Sequence, residues 1–439
     1  MNNKFKYLLI GLILLILCLA PVSANNWLMF QHDAKHSGYL DESSEFVSNL
    51  WDTDLKSTVL SSPAIVNDTI YVVTHDGILN AIDMEDGDIL WTYDFEDKFK
   101  ASPVIKGDTL YIGSMDGTFY ALNISDDLDD DDHDEIWKER VDEAIESTAV
   151  ISGERVYFGS NDGHVYAFST DGDEKWDYKL GGKVKSSPVI LDDELFAAST
   201  NAKVVSLDKD DGSKNWIYTC GDEVLSSPAV TKDNVVVGSV DANVYNLNRD
   251  DGELNWTANM EYKIVSSPSV ETYDNNVYIS NDNGNVTCFD LRDGTFKWSY
   301  KTDASVRTTP AMNDNYIVVG SNDGNVYQLN KYTGEKIFSY NPGAILFNSE
   351  ISASPVLYGD NLFVADHSGH LYSIDLNKQD TPFSIFLIFS IVIACIVLVL
   401  LYVIIKKIRG RDKNNGKSKR SLKRIKGKKS VKENKIEEE

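Results

Sequence analysis

Short runs of apolar and β-branched residues alternate with polar turns along most of the chain, in the period-two pattern of β-strands. In the first complete unit four strands are predicted, at 63–66, 69–73, 78–82 and 89–93. The sequences His75-Asp-Gly and Glu85-Asp-Gly separate strands, and glycine accepts the positive φ that tight hairpin turns require. Each unit is therefore predicted to be an antiparallel sheet of four strands.

This unit occurs eight times, at a spacing of roughly 40 residues. Most copies open with Ser-Ser-Pro or a close variant, and the openings begin at Ser61, Ala101, Ser147, Ser186, Ser226, Ser266, Thr308 and Ala353. Such a period, with several strands inside it, is typical of a β-propeller rather than of a helical solenoid. One blade alone would expose an apolar face, so neighbouring blades are predicted to stack around a ring.

The aromatic residues of the fourth strands give the number of blades. One stands in each period, at Trp51, Trp91, Trp137, Trp176, Trp216, Trp256, Trp298 and Phe338. The copy that opens at Ala353 stops at Asp375 without an aromatic fourth strand, whereas Trp51 precedes the first opening. These two fragments complete each other. We predict an all-β, eight-bladed propeller in which the N-terminal strand supplies the last strand of the final blade and closes the ring.

The first 24 residues have the features of a signal peptide. Lys4 and Lys6 precede an apolar stretch from Leu8 to Ala20, and Val22-Ser-Ala24 supplies the small residues of a cleavage site. Export of the propeller, predicted at 25–380, is the expected consequence.

A second apolar segment follows the propeller. Residues 383–405 contain no charge, and a helix of this length would span about 34 Å, enough to cross a bilayer. The tail at 406–439 holds 15 basic and 5 acidic residues, which predicts a disordered segment on the cytoplasmic side. The sequence thus predicts a single-pass protein of the cell membrane with an extracytoplasmic propeller at the cell surface.

The predicted exported domain is strongly acidic. The 17 basic and 5 acidic residues outside 25–380 leave 25 basic and 63 acidic residues inside it, a net charge of −38. Such a surface repels nucleic-acid phosphates, which argues against a DNA or RNA partner. Two longer loops, at 125–135 and 341–350, interrupt the regular spacing; the first is an acidic run and the second contains Ile345, Leu346 and Phe347. The acidic run lacks the spacing of an EF-hand calcium loop and is interpreted as a solvated loop.

Few residues point to metal binding or to disulfides. His32 and His36 stand four apart without a third ligand nearby, so no metal site is predicted. Cys220 and Cys288 fall in blades that are not adjacent, and a disulfide between them is not expected. Sequons begin at Asn67, Asn123, Asn255 and Asn285. Asn67 and Asn123 are the better glycosylation candidates because they fall in predicted turns or loops.

The junction between the third and fourth strands resembles the tryptophan-docking motif of the pyrroloquinoline-quinone (PQQ)-like propeller repeat, Ala-x-Asp-x-x-Thr-Gly-x-x-x-Trp. The first copy reads Ala81-Ile-Asp-Met-Glu-Asp-Gly-Asp-Ile-Leu-Trp91, with Asp in place of the Thr. Only Thr333-Gly334 keeps the Thr, and that copy ends in Phe338. The resemblance covers roughly residues 27–376 and implies that the aromatic residue of each blade packs on the turn of its neighbour.

Two classes of this family differ in chemistry. Quinoprotein dehydrogenases bind PQQ and calcium, and the alcohol-oxidising type places adjacent cysteines against the cofactor. This chain contains no Cys-Cys pair and has short loops. It is more similar to the non-catalytic class, exemplified by the lipoprotein of the outer-membrane assembly machine, which presents propeller faces to proteins and has no cofactor.

The titratable residues of the turns suit a structural role. His75, Asp116, Asp162, Asp323 and His367 recur in the turns between second and third strands, where Asp before Gly is what a tight turn needs. No catalytic residues are predicted. The favoured function is a membrane-anchored scaffold that binds envelope or cell-surface proteins or polymers. The alternatives are a PQQ-dependent dehydrogenase and a sensor that signals through its tail.

Overall fold

The computed structural model describes residues 46–125, 134–343, 349–358 and 361–380. All the regular secondary structure in these ranges is β-strand, and it forms eight antiparallel sheets of four strands each. The predicted eight-bladed propeller is confirmed. The predicted signal peptide at 1–24, the predicted membrane segment at 383–405 and the tail at 406–439 lie outside the described residues.

Blades 1 to 4 use consecutive strands, ordered from the inside of the ring outward. Their bounds are β2 Ala64–Val66, β3 Thr69–Val73, β4 Ile78–Asp83 and β5 Ile89–Asp94 in blade 1; β6 Val104–Lys106, β7 Thr109–Gly113, β8 Thr118–Asn123 and β9 Glu135–Arg140 in blade 2; β10 Val150–Ser152, β11 Arg155–Gly159, β12 His164–Ser169 and β13 Glu174–Lys179 in blade 3; and β14 Val189–Leu191, β15 Glu194–Ala198, β16 Lys203–Asp208 and β17 Lys214–Thr219 in blade 4.

Blades 5 to 7 continue the pattern, and blade 8 is built from both ends of the domain. The bounds are β18 Ala229–Val230, β19 Asn234–Gly238, β20 Asn243–Asn248 and β21 Leu254–Asn259 in blade 5; β22 Ser269–Glu271, β23 Asn276–Ser280, β24 Asn285–Asp290 and β25 Phe296–Lys301 in blade 6; β26 Ala311–Met312, β27 Tyr316–Gly320, β28 Val326–Asn330 and β29 Lys336–Tyr340 in blade 7; and β30 Val356–Tyr358, β31 Asn361–Ala365, β32 His370–Asp380 and β1 Phe46–Asp54 in blade 8.

The ring closes through the pairing of β1 with β32. The two strands are antiparallel, with Trp51 opposite Ser373 and Asp54 opposite His370. The fourth strand of blade 8 therefore comes from the start of the domain, as the sequence predicted. Because β1 completes the last sheet, the ring holds no unpaired edge between first and last blades.

Apolar side chains fill the space between blades rather than a single central core. Each junction has its own buried cluster, and alternate residues of the two middle strands supply most of it. At the junction of blades 1 and 2, for example, Leu79, Phe99 and Leu110 are almost completely buried. Burying both faces of each blade in this way stabilises the ring as a whole, since every blade depends on two neighbours.

The Ser-Ser-Pro opening has two separate tasks. The side chain of its first serine hydrogen-bonds to the backbone of the second strand in the same blade. Ser186 Oγ, for instance, donates to Ala198 O and accepts from Ala198 N, both at 2.8 Å. Ser147 and Ser226 make the same pair of bonds with Gly159 and Gly238.

The second residue of the opening links neighbouring blades. In each link a backbone N–H donates to the hydroxyl oxygen of the next blade, and seven such bonds among the described residues form a hydroxyl ring around the axis that is interrupted between Ser267 and Thr309. The links run from Ser62 to Ser102 (2.9 Å), Ser102 to Thr148 (3.1 Å), Thr148 to Ser187 (3.0 Å), Ser187 to Ser227 (2.9 Å), Ser227 to Ser267 (2.9 Å), Thr309 to Ser354 (2.9 Å) and Ser354 back to Ser62 (3.1 Å).

Two threonines of this ring allow a matched test. The Thr148 hydroxyl accepts from Ser102 N at 3.1 Å, whereas the Thr309 hydroxyl takes no such bond among the described residues. Thr148→Val should lower the free energy of unfolding by about 1 kcal/mol, because it leaves a backbone N–H without its acceptor. Thr309→Val should change it by much less. Urea unfolding of both variants measures the difference, and equal losses would show that the interblade bond contributes nothing.

Candidate interaction faces of the propeller

Strand order gives the propeller two distinct faces. Face A carries the turns between second and third strands together with the connections from blade to blade. Face B carries the turns between first and second strands and between third and fourth strands. The insertion at 125–135 follows β8 and belongs to face B, while the loop at 341–350 connects blades 7 and 8 on face A. Residues 126–133 and 344–348 of these loops lie outside the described residues.

The predicted aromatic positions all lie on the outer strands, and most of their indoles bond to the next blade. In each bond Nε1 donates to a backbone carbonyl in the turn after the neighbour's third strand. The pairs are Trp51 with Met84 (3.1 Å), Trp137 with Thr170 (2.8 Å), Trp176 with Lys209 (3.0 Å), Trp216 with Arg249 (2.6 Å), Trp256 with Leu291 (2.8 Å) and Trp298 with Lys331 (3.0 Å). Trp91 packs at the junction of blades 1 and 2, and Phe338 at that of blades 7 and 8.

The glycine of each receiving turn makes room for the indole. Gly252 has φ +72°, and a Cβ there would lie 2.5 Å from the Trp216 ring. Gly212 and Gly294 are placed in the same way against Trp176 and Trp256. Both the left-handed backbone and the close approach require glycine at this position. The motif therefore has Gly at this position in these copies, although the preceding Thr is replaced by Asp.

The turn residues named from the sequence fall at two positions of face A. His75 and His367 take the first position of their turns, and Asp116, Asp162 and Asp323 take the second. Asp162 accepts from His164 N and from the Tyr166 hydroxyl, both at 2.9 Å. Asp323 makes the equivalent bonds to Asn325 N and the Tyr327 hydroxyl at 2.8 Å. These carboxylates hold their own turns, in agreement with the structural interpretation.

A charged cluster on face A was not anticipated from the sequence. Glu146, just before the inner strand of blade 3, pairs with Lys100 of blade 2 at 3.2 Å and with Lys185 of blade 4 at 2.9 Å. Asn161 Nδ2 donates to the same carboxylate at 2.8 Å. Burial alone would raise the pKa of Glu146. The hydrogen bonds from Asn161 and Lys185 and the charges of both lysines outweigh it and lower the pKa to about 2.

A similar group occupies blades 6 and 7. Asp282 receives two hydrogen bonds from Arg307, at 2.9 and 3.1 Å, and pairs with Lys263 at 2.9 Å. These contacts lower the pKa of Asp282 despite its burial. In both groups one carboxylate is shared by two cations, so each carries a net positive charge. A charged residue directly before the opening was a sequence signal for Lys100, Glu146, Lys185 and Arg307, but Lys263 and Asp282 lie elsewhere and carry no such signal. The pairing across blades could not be deduced from spacing.

Face B is dominated by exposed carboxylates. Blades 1 to 7 all contribute to it, with examples at Asp68, Glu85, Asp108, Glu154, Asp171, Asp193, Asp211, Asp233, Asp250, Asp293 and Asp314. Some cations of this face are buried in ion pairs between blades. Arg249 of blade 5 bonds to Asp192 and Glu194 of blade 4, at 2.8 and 2.7 Å. Lys331 of blade 7 bonds to Glu271 of blade 6 at 2.7 Å. The charge that remains exposed is therefore mainly negative.

The remaining candidate residues are dispersed. Cys220 and Cys288 are buried free thiols in blades 4 and 6, and burial raises the pKa of each to about 12. Asn67 is exposed in the turn after β2. Asn123 is the last residue of β8, so it does not lie in the loop that follows, and it is half-buried. Its side-chain oxygen accepts a hydrogen bond from Ser125 N at 3.1 Å.

Comparison with known proteins identifies the family. The family model described as outer membrane protein assembly factor BamB, of the PQQ-repeat type, matches residues 47–127, 95–191, 177–295 and 260–380. The chain belongs to this family. No curated protein sequence matches it.

Solved structures at low identity share the fold. BamB from Moraxella catarrhalis is 19% identical, with a TM-score of 0.64 over 75% of this chain and 100% of that one. Quinohemoprotein alcohol dehydrogenase from Comamonas testosteroni is 15% identical, with a TM-score of 0.63 over 78% and 79%. Sqt1 from Chaetomium thermophilum, bound to the N-terminus of ribosomal protein L10, is 14% identical, with a TM-score of 0.64 over 75% and 99%.

The residues at the face A end of the axis do not fit PQQ with calcium. The carboxylates of Glu146 and Asp282 are each committed to two cations. Cys220 and Cys288 lie in different blades and cannot act as the adjacent pair of the alcohol-oxidising class. Within the described ranges, His, Cys, Asp and Glu form no group of three or more that could hold a metal ion.

The Glu146 cluster gives the stability of this propeller a specific pH dependence. A glutamate in the unfolded chain titrates near pH 4.3. The folded pKa is lower, about 2, so the ionised carboxylate stabilises the fold above the unfolded value and this contribution is lost as pH falls towards 2. Glu146→Gln should therefore cost about 2 kcal/mol at pH 7. Urea unfolding between pH 7 and 2.5 should show the difference from wild type shrinking below about pH 4.5.

Glu143 supplies the control for this measurement. It is exposed on the same blade-to-blade connection and makes no ion pair among the described residues. Glu143→Gln should change the free energy of unfolding at pH 7 by much less than Glu146→Gln. A Glu146→Gln difference that stayed constant with pH would contradict the assigned role of the carboxylate.

Proposed function

We propose that the chain is a membrane-anchored, extracytoplasmic scaffold whose acidic face B captures a basic surface of an envelope or cell-surface protein. The observation that carries this proposal is the exposed carboxylates on the turns of face B in blades 1 to 7. Complementary charge of this kind speeds association and selects partners. The same proposal covers a polymer partner. Its basic groups would then belong to a chain that is not a folded protein.

Among the described residues, both faces expose carboxylates without ion pairs, including Glu143 and Glu261 on face A. The preference for face B rests on the paired inner charges of face A and on the turns of face B. On face A the charges near the axis are paired with one another in the Glu146 and Asp282 clusters. The carboxylates of Asp162 and Asp323 accept hydrogen bonds from their own turns. On face B the carboxylates of Glu85 and Asp250 make no ion pair within the described ranges, and both side chains are exposed. Unpaired surface charge is available to a partner without first breaking an internal contact.

Related propellers support protein binding as the mode of action. The Moraxella protein is a BamB, and the family is described as an outer membrane protein assembly factor. The Sqt1 structure contains a peptide segment of a second protein, the N-terminus of L10. We infer by analogy that a propeller of this family with short turns acts through its surface.

The membrane anchor belongs to the proposal as well. Within the ranges that the structure describes, no helix has the length and hydropathy of a membrane span. The proposed anchor is the uncharged segment 383–405, which begins three residues after β32 ends at Asp380. The basic tail at 406–439 would then lie in the cytoplasm, held near anionic lipid by its charge.

Charge reversal on face B tests the scaffold. Arg292 occupies in blade 6 the turn position that Glu85 and Asp250 occupy in blades 1 and 5, so arginine is compatible with this turn. The double variant Glu85→Arg, Asp250→Arg should reduce the cross-linked partner about tenfold, because it repels a basic surface. Cross-linking of the full-length chain on intact cells, with quantification of each partner by mass spectrometry, is the measurement.

A matched pair on face A controls for net charge. Lys56 has φ +67°, and the equivalent Glu96 and Glu261 have φ +56° and +66°, so lysine is compatible with this position. Glu96→Lys, Glu261→Lys makes the same change in net charge and should leave the partner unchanged. If the face A pair lowered capture as much as the face B pair, the proposed surface would be wrong.

The topology can be tested separately. Protease added to intact cells should digest the propeller and leave a membrane-bound fragment that contains 383–439, detected through a tag after Glu439. The physical reason is that a charged tail on the inner side is shielded by the bilayer. Loss of the tag without permeabilisation would place the tail outside and overturn the orientation.

A further inference from the structure

A cleft of about 460 Å³ opens on face B between blades 3 and 4. Its lining comes from the β10–β11 and β12–β13 turns of blade 3 and the β16–β17 turn of blade 4, and it includes Arg155, Tyr157, Asp171 and Asp210. The volume is within the range of sites for small ligands. Nothing in the function proposed above requires this cleft.

The Tyr157 hydroxyl lies at the base of this cleft without a partner. The side chain is fully buried, and its oxygen makes no hydrogen bond. Equivalent tyrosines in other blades are satisfied: Tyr278 donates to Lys331 O at 3.2 Å, and Tyr111 donates to Thr170 O at 3.5 Å. In each case the acceptor is the same carbonyl that receives the indole N–H. A buried hydroxyl without a bond is unfavourable, so its isolation in blade 3 needs a cause.

The cause is Arg155. The carbonyl that Tyr157 should reach is Lys209 O, which accepts from Trp176 Nε1 at 3.0 Å and from Arg155 Nη1 at 3.2 Å. A carbonyl oxygen has two lone pairs, and both are taken. In blade 6 the position of Arg155 is held by Asn276, which instead donates to the Tyr278 hydroxyl at 2.8 Å. Arginine at this one position therefore displaces the tyrosine from its acceptor.

The guanidinium of Arg155 is itself only partly used. Nη1 donates to Lys209 O and to Asp210 O, and its ion pair with the Asp210 carboxylate is long, at 3.5 Å. The guanidinium also lies close enough to the Tyr157 hydroxyl to oppose the rise that burial gives the pKa of Tyr157, and the side chain of Arg155 is 31% exposed. Arg155 can thus swing towards the cleft. Lys209 O would then be free to accept from Tyr157, as Thr170 O accepts from Tyr111 and Lys331 O from Tyr278.

The rim of the cleft supplies acceptors. Asp171 and Glu154 are exposed and make no ion pair within the described ranges, and Asp173 is paired with Lys175 at 3.1 Å. Three cations and four carboxylates line the cleft, so its charges almost balance. A ligand with a strong charge of either sign gains little from such a lining. A neutral group with many hydroxyls can accept from Arg155 and donate to the rim carboxylates at the same time.

We propose that this cleft binds a neutral saccharide unit, with Arg155 as the donor that moves onto the ligand. Movement of Arg155 gives up its bonds to Lys209 O and Asp210 O, and Tyr157 replaces it on the Lys209 carbonyl. The Tyr157 hydroxyl then contributes to the bound state but not to the free one. Removal of this hydroxyl should therefore weaken ligand binding without lowering the stability of the free protein, whereas removal of a purely structural hydroxyl would lower that stability.

The test is a titration of the full-length protein with glucose, galactose, mannose and N-acetylglucosamine, followed by saturation-transfer NMR and calorimetry. At least one sugar should saturate with one site. Tyr157→Phe should weaken its binding about tenfold through the lost hydrogen bond, without lowering the melting temperature of the free protein. Arg155→Gln should remove detectable binding.

Tyr278→Phe is the matched control. Its hydroxyl makes two bonds in the free protein, so the substitution should lower the melting temperature and leave sugar binding unchanged. Failure of all four sugars to saturate would overturn the proposal. So would equal affinity in Tyr157→Phe, or preferential binding of the zwitterion glycylglycine or of acetate at the same site. None of these outcomes affects capture of a protein by the Glu85 and Asp250 surface.

Discussion

The pairing of β1 with β32 is the contact on which the rest of the propeller depends. It joins residues 46–54 to residues 370–380 and makes the eighth sheet complete. Each junction between blades buries an apolar cluster that no single blade could bury alone. Were the ring open, blades 8 and 1 would each lose one of their two neighbours. Closure therefore converts a row of marginal sheets into a structure in which every blade is supported on both sides.

Two sets of hydrogen bonds between blades strengthen this closed arrangement. The hydroxyl ring lies near the axis, and the bonds from the indoles lie at the outer strands. The hydroxyl ring joins backbone N–H groups to the neighbouring hydroxyl close to the axis. The bond from Trp216 to Arg249 O, and its equivalents, join the outer strands to the neighbouring turns. The contacts at both radii run between adjacent blades, so a change in the tilt of one blade strains both sets.

Most of the fold was accessible from the sequence because the information is local and repeated. Strand length, turn glycines and the spacing of Trp51 to Trp298 recur in each unit, and eight copies reinforce one another. The ring closure followed from the missing fourth strand after Asp375. The Glu146 cluster could not be deduced in this way, since Lys100 and Lys185 come from two other blades and only the three-dimensional ring brings them to one carboxylate. The isolated hydroxyl of Tyr157 was equally inaccessible, because it arises from competition between Arg155 and the tyrosine for one carbonyl.

The use of β1 as the outer strand of blade 8 also sets the order of events when the chain folds. Strand β1 is made first, but its partner β32 is more than 300 residues further along the chain. Blades 1 to 7 use only consecutive strands and can form as the chain emerges, whereas the final sheet must wait for both ends. Closing so long a loop is a slow, non-local step. Until it happens β1 carries an unpaired edge, so a polypeptide released too early would expose a strand able to pair with another chain.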